Sequence, residues 1–379
     1  MNPYGKLKRA LVILSLVFFA VTSEIIAGDS PALQKVFSGD FYIGTALNMQ
    51  QILGRDPEST DLLKTHFNSI TPENVMKWEF IHPKPDSFTY EAVDRFIELG
   101  EKYDMFIVGH VLVWHQQTPE WVFESESGER ADRKKLLRRM RKHITAVAGR
   151  YSGRIDAWDV VNEAFDAEGN LRETPWLEII GKDYIRKAFE YAHEAAPDAE
   201  LYYNDYDMWK PGKREAVVEL VRELKADGVP IHGIGLQGHW GMDYPPLDEL
   251  EASLKAYAAL GVDIAVTELD VNILPFPDED TGADISKDFA LRKKLNPYHE
   301  TLPDSMQRRL ADRYRDFFVN FMKYRDSISR VTLWGIHDSQ SWLNNWPVRG
   351  RTNYPLLFDR QYEPKEAFFE VIDAGQKEN

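Results

Sequence analysis

Two glutamates stand where strands should end rather than on an open surface. Glu163 closes the run IDAWDVVNE from Ile155, and Glu268 lies within DIAVTELDV from Asp263. Strand interiors rarely hold carboxylates, because burying the charge is unfavourable unless a partner compensates it. One such residue reads as a structural salt bridge. Two of them, each carried by an apolar run, read better as a functional pair. Glycoside hydrolysis needs such a pair: one carboxylic acid protonates the leaving oxygen while the other attacks the sugar carbon or activates water, and their spacing decides which.

For the pair to meet, the runs that carry them must face one another. From about Phe41, short runs rich in Val, Ile, Tyr and Trp alternate with longer stretches of helical period, as successive βα units do. Eight such runs begin at Phe41, Asn68, Met105, Ile155, Glu200, Gly233, Asp263 and Val331. Helical patterns lie between them, among them YEAVDRFIELGEKY from Tyr90, KKLLRRMRKHITAVAGRY from Lys134, KREAVVELVRELKADG from Lys213 and LDELEASLKAYAALG from Leu247. The last two run into a glycine, a usual stop signal. Eight strand–helix units close a barrel, whereas a doubly wound sheet has about five or six strands. The pattern predicts an α/β fold, a single (β/α)8 TIM barrel over residues 28–379, with chemistry at the C-terminal strand ends. The fourth and seventh strands stand three places apart around such a ring, so their terminal side chains can face across its mouth.

Other polar and aromatic residues gather at the same ends. The second run is followed by Glu73, Asn74, Lys77 and Trp78, and the third carries His110, Trp114, His115 and Gln117. Asn162 precedes Glu163; Tyr203, Asn204 and Asp205 end the fifth run, Gln237 and His239 the sixth, and Asp270 follows Glu268. The eighth run gives Trp334, His337 and then Trp342. Aromatic faces stack on sugar rings, while amides, lysine and imidazole bond hydroxyls, so this rim suits a carbohydrate. Tyr203 is expected among the sugar-binding faces. Trp78 and Trp158 read equally well as packing residues. The stretch Asn272 to Pro303 exceeds ordinary loop lengths and is a candidate rim element.

Composition narrows the partners. The chain has 379 residues, 46 basic against 61 acidic, a formal charge of −15 that disfavours nucleic acid. With no cysteine there is neither a disulfide nor a thiolate site. No Walker or Rossmann glycine loop is present, so no cofactor is expected. Lys6, Lys8 and Arg9 precede the apolar run Leu11 to Val21, which is short for a membrane span and reads as a secretory signal over residues 1–27, cut after Ser23 or Ala27. A secreted or periplasmic location follows as an expectation, with no membrane attachment once the signal is removed.

The segments WDVVNEA from Trp158, TELDV from Thr267, TPENVMKWE from Thr71, GHVLVWHQQTPEW from Gly109, YYNDY from Tyr202 and GIGLQGH from Gly233 together resemble glycoside hydrolase family 10, the endo-β-1,4-xylanases. The likeness extends from about Phe41 to Val371. It implies a (β/α)8 barrel and a retaining double displacement on xylan and xylo-oligosaccharides, by an enzyme expected to be a monomer. Carried over by position, it implies Glu163 as acid/base and Glu268 as nucleophile, with Asn162 on the sugar 2-hydroxyl. His239 would orient the nucleophile, with Asp270 behind it and Gln237 on the same face. Glu73, Asn74, Lys77, His110, Trp114 and Gln117 would line the sugar subsites, and Trp334 and Trp342 the central site. Leu343 to Tyr354 resembles a lid of part of the family, through which Trp346 and Arg349 would touch distant subsites. QQTPEW after His115, and His337, depart from the commoner pattern and bear on substrate preference.

Three other readings remain. A related barrel could use the same carboxylates on β-1,4-glucan or mannan, although packing around Lys77 and Trp342 should exclude the hydroxymethyl group of a hexose. An inactive sugar-binding barrel is opposed by the presence of both glutamates. A metal-dependent hydrolase would draw on His110, His115, His239 and His337, but it needs a His-x-His pair at one strand end. None of the ten histidines forms one, so no metal is expected.

Overall fold

Runs of β-branched and aromatic residues form eight parallel strands that close on themselves. The computed structural model describes residues 31–125, 127–277 and 283–377; the expected secretory signal lies outside the described residues. The strands are β1 (Tyr42–Leu47), β2 (Ser69–Pro72), β3 (Phe106–Val113), β4 (Ala157–Asn162), β5 (Glu200–Asp205), β6 (Gly233–Leu236), β7 (Asp263–Asn272) and β8 (Ile328–Leu333). Each pairs with the next in parallel, and β8 pairs back onto β1, so the sheet has no free edge. The architecture is a (β/α)8 barrel.

Among the described residues the longer helices, of ten residues or more, surround it: α1 (Pro57–His66), α2 (Glu91–Lys102), α3 (Arg133–Val147), α4 (Tyr184–Ala195), α5 (Pro211–Ala226), α6 (Leu247–Ala258), α7 (Asp304–Lys323) and α8 (Glu366–Lys377). Their apolar stripes pack on the outward residues of the strands. In α2, for example, Val93, Phe96, Ile97 and Gly100 are buried at helical spacing. The main core is this layer between strands and helices, and it takes in Trp78 and Trp158 as packing residues. Burying a large apolar side chain contributes about 1.5–3 kcal/mol. Inside the barrel a smaller cluster of Ala157, Tyr202 and Ala265 fills the floor, with the Arg330 guanidinium 4.1 Å from the Tyr202 ring centre. A methyl group on Gly233 would overlap that ring.

The structure departs from the sequence expectation at the sixth run. GIGLQGH is not one strand: β6 stops at Leu236, and His239–Gly241 forms a separate short strand on the far end of β7. Gly238, at φ +80°, makes the break, a conformation open to glycine. The detour sets His239 opposite Asp270. Register also slips between β3 and β4, between β4 and β5, and between β7 and β8, so side chains at the mouth are re-aimed relative to a regular ladder.

Candidate active site

Glu163 follows the last residue of β4, and successive residues of a strand point to opposite faces. Asn162 and Glu163 nevertheless both face the mouth, because Glu163 adopts φ +58° and turns its side chain back inward. Gln237 Nε2 and Asn162 Nδ2 donate to Glu163 Oε1 at 2.9 and 3.2 Å. The Trp114 indole Nε1 donates to Oε2 at 2.9 Å. Two donors occupy Oε1, which leaves Oε2 as the oxygen that can carry a proton.

Glu268 stands across the mouth on β7. Asn204 Nδ2 donates to its Oε1 at 2.8 Å and to Asn162 Oδ1 at 3.0 Å, linking the surroundings of the two glutamates through one amide. Gln237 Nε2 makes the matching contact to Asn162 Oδ1 at 3.1 Å. His239 Nε2 lies 3.1 Å from Glu268 Oε2, and its Nδ1 lies 3.1 Å from Asp270 Oδ1. The Trp342 indole donates to Asp270 Oδ2 at 2.7 Å, which fixes the carboxylate behind the imidazole.

Both glutamates line one cavity of about 230 Å³. Its wall brings together Glu73, Asn74, Lys77, His110, Trp114, Gln117, Asn162, Gln237, His239, Trp334 and Trp342. Asp270 stands behind His239. Lys77 Nζ donates to Asn74 Oδ1 at 3.0 Å and lies 5.1 Å from the Trp114 ring centre, and the His110 imidazole is 2.9 Å from the buried Asp159. Of the four histidines considered for a metal, only His110 and His239 line the cavity. The long loop after β7 supplies Ala283 and Ile285. Trp346 stacks on Trp342 with ring centres 4.5 Å apart, whereas Arg349 is exposed and outside the wall.

Tyr203 must be corrected. It is fully buried on the outer face of β5, its hydroxyl donating to Asp205 at 2.6 Å, and it does not reach the cavity. Its neighbour Asn204 is the strand-five residue that faces inward beside the two glutamates. Alternation was the available signal, since Asn204 shares the face of Tyr202, which points into the barrel. Ala283 and Ile285 carry no chemical signal of their own.

Comparison with known proteins decides the family. Residues 32–374 match the sequence pattern of glycosyl hydrolase family 10. The chain belongs to that family. It is 47% identical over 364 residues to an endo-1,4-beta-xylanase A of Xylanibacter ruminicola, covering 96% of this chain and 99% of that protein. A solved endoxylanase of the same family, from a sugarcane soil metagenome, is 46% identical with a TM-score of 0.88, covering 90% of this chain and 99% of that one. Another solved structure, in complex with xylotriose, is 39% identical with a TM-score of 0.80, over 91% of this chain and all of the other.

The electrostatics of this family 10 site separate the two glutamates. Burial pushes Glu163 above the usual carboxylate range; its hydrogen bonds from Gln237 and Trp114 oppose the rise, and the charge of Glu268 adds to it. Burial also pushes Glu268 upward, but the bond from His239, the electrostatic influence of the neighbouring His110 and His239 and the bond from Asn204 outweigh it, and its pKa falls below the usual value. His239 loses some basicity to burial, yet Asp270 and Glu268 raise its pKa to about 10, so a charged imidazolium donates to both carboxylates. The two carboxyls are thus pushed apart, Glu163 toward its neutral form and Glu268 toward its ionised form, as acid–base chemistry at a single bond requires.

This gives a directional test. If Glu163 serves as the acid and Glu268 as the ionised partner, activity falls as pH rises through the first pKa and as pH drops through the second. Trp114→Phe removes a hydrogen bond that favours ionised Glu163. The alkaline limb of kcat/KM is therefore expected to move to higher pH while the acid limb stays in place. A pH–rate profile of the variant checks this, and an alkaline limb displaced downward would refute it.

Proposed function

We propose that the chain cleaves internal β-1,4 linkages of xylan with retention of anomeric configuration, Glu163 acting as general acid/base and Glu268 as nucleophile. The observation that carries this reading is the pair of carboxyls at one cavity, with pKa values pushed in opposite directions. In the first step Glu268 attacks the anomeric carbon, the glycosidic C–O bond breaks, and the proton on Glu163 passes to the departing oxygen. In the second, Glu163, now ionised, takes a proton from water as that water attacks the glycosyl-enzyme and frees Glu268. Asn162, its carbonyl oxygen held by two amide donors, has an amide hydrogen to offer the sugar 2-hydroxyl. Retaining chemistry places the two carboxyl groups about 5 to 5.5 Å apart.

The substrate reading rests on the wall of the cavity and on family relatives named as xylanases. Lys77 and Trp342 both line the cavity, and packing around them is expected to exclude the hydroxymethyl group of a hexose. Xylo-oligosaccharides should exceed cello-oligosaccharides in kcat/KM by at least about 10- to 200-fold. Product profiles on xylan, glucan and mannan, with the anomer of fresh product read by NMR, check both claims. Inverted product, or equal rates on glucan, would overturn the reading. The basic and apolar N-terminus supports removal of residues 1–27 on export, to a secreted or periplasmic place, and N-terminal sequencing of exported protein locates the cut.

A further inference from the structure

Behind the catalytic cavity lies a charged group that the reaction as described does not use. Asp205, at the end of β5, is completely buried and does not line the cavity. Four donors converge on its carboxylate. Lys213 Nζ and the Tyr206 backbone N–H reach Oδ1, each at 2.8 Å. The Tyr203 hydroxyl reaches Oδ2 at 2.6 Å and the Phe165 N–H at 3.4 Å. Lys213, on the first turn of α5, is itself fully buried. Tyr203 in turn accepts the Ala164 N–H at 3.1 Å. The two backbone donors tied down in this way, Ala164 and Phe165, are the two residues that follow Glu163. On the other side, the Glu163 N–H donates to Asn204 O at 2.9 Å.

Glu163 needs such restraint. Its φ of +58° is a conformation that non-glycine residues rarely adopt and that persists only where the surroundings over-determine it. Without the left-handed turn, strand alternation would carry its carboxyl away from Asn162 and out of the mouth. We propose that Asp205 is a positioning residue for the general acid. Through Tyr203 and the backbone of Ala164 and Phe165 it holds Glu163 in its left-handed conformation, and Lys213, bonded to Asp205 Oδ1, offsets part of the cost of burying that carboxylate. This rests on the reading of Glu163 as acid/base. It assigns the ND of YYNDY two separate tasks: Asn204 serves Glu268 and Asn162 inside the barrel, and Asp205 serves Glu163 from outside it.

The test compares two substrates. Cleavage of an unactivated xylo-oligosaccharide needs proton donation, whereas an aryl xylobioside with a strongly acidic phenol as leaving group does not. Asp205→Asn with Lys213→Met removes both charges together, so that neither is left buried alone. Tyr203→Phe breaks the link to Ala164 without touching the ion pair, and it decides the matter if the double variant does not fold. Both variants should lose about 10- to 100-fold in kcat/KM on the oligosaccharide, with first-step rates on the aryl glycoside within about threefold of the parent. Loss of equal size on both substrates, or no loss on either, overturns the proposal. Glu163→Ala is run beside them. If that variant lacks the substrate split, it is the acid/base assignment that has failed and not the positioning role.

Discussion

Glu268→Ala is expected to abolish xylan turnover, by about 10⁴-fold or more, while xylo-oligosaccharides still bind with affinity near that of the parent. The nucleophile forms the covalent bond, so its loss removes the reaction path rather than the sugar contacts, which come from other side chains of the wall. The fold should tolerate the change. His239 keeps its contact with Asp270 at 3.1 Å, and the Asn204 amide keeps Asn162. The variant therefore leaves no unpaired buried charge, the usual cause of collapse when one member of an ion pair is deleted. Reducing-sugar release measures the first quantity and titration calorimetry with xylotriose the second. Turnover near that of the parent would mean that the nucleophile has been assigned to the wrong residue.

Glu163→Ala should behave differently, and the contrast is informative. On unactivated oligosaccharides the loss is expected to be about 10²- to 10⁴-fold, the range for general acid–base assistance. With an activated aryl glycoside the first step should be nearly unchanged. The second step then lacks its base, so the glycosyl-enzyme should accumulate, giving a burst of released phenol and an added glycosyl mass on the protein. An equal decrease for both leaving groups would contradict the role. The environment of the residue supports the assignment: burial favours its neutral form, and Oε2, beside the Trp114 indole, is the oxygen left able to hold the proton.

Much of this was legible in the sequence because period and position along strands are local properties. The eight apolar runs correspond to barrel strands, and the polar residues at their C-terminal ends gather around one cavity. What escaped depends on which face of a strand is inward, or on backbone turns that side-chain pattern does not encode. Tyr203 looked like a sugar platform by type, yet it stands on the outer face, and plain Asn204 takes the inner place. Register makes the reason visible. Tyr202 and Asn204 stand opposite Gly233 and Gly235 on β6, whose missing side chains leave room inside the barrel. The break at Gly238, which delivers His239 to Asp270, likewise depends on a positive φ in what looks like an unbroken strand. The contribution of Ala283 and Ile285 comes from where a long loop folds back, which no local pattern announces.

The left-handed backbone at Glu163 also sets a limit on durability. A residue with a side chain costs about 1–2 kcal/mol in that conformation, and here it carries an ionisable group into a dry pocket as well. A chain selected only to stay folded would place glycine at 163 and gain on both counts. If Glu163 is the proton donor proposed above, the residue that serves bond cleavage is also a weak point of the scaffold, and heat tolerance and catalytic competence draw on the same small reserve.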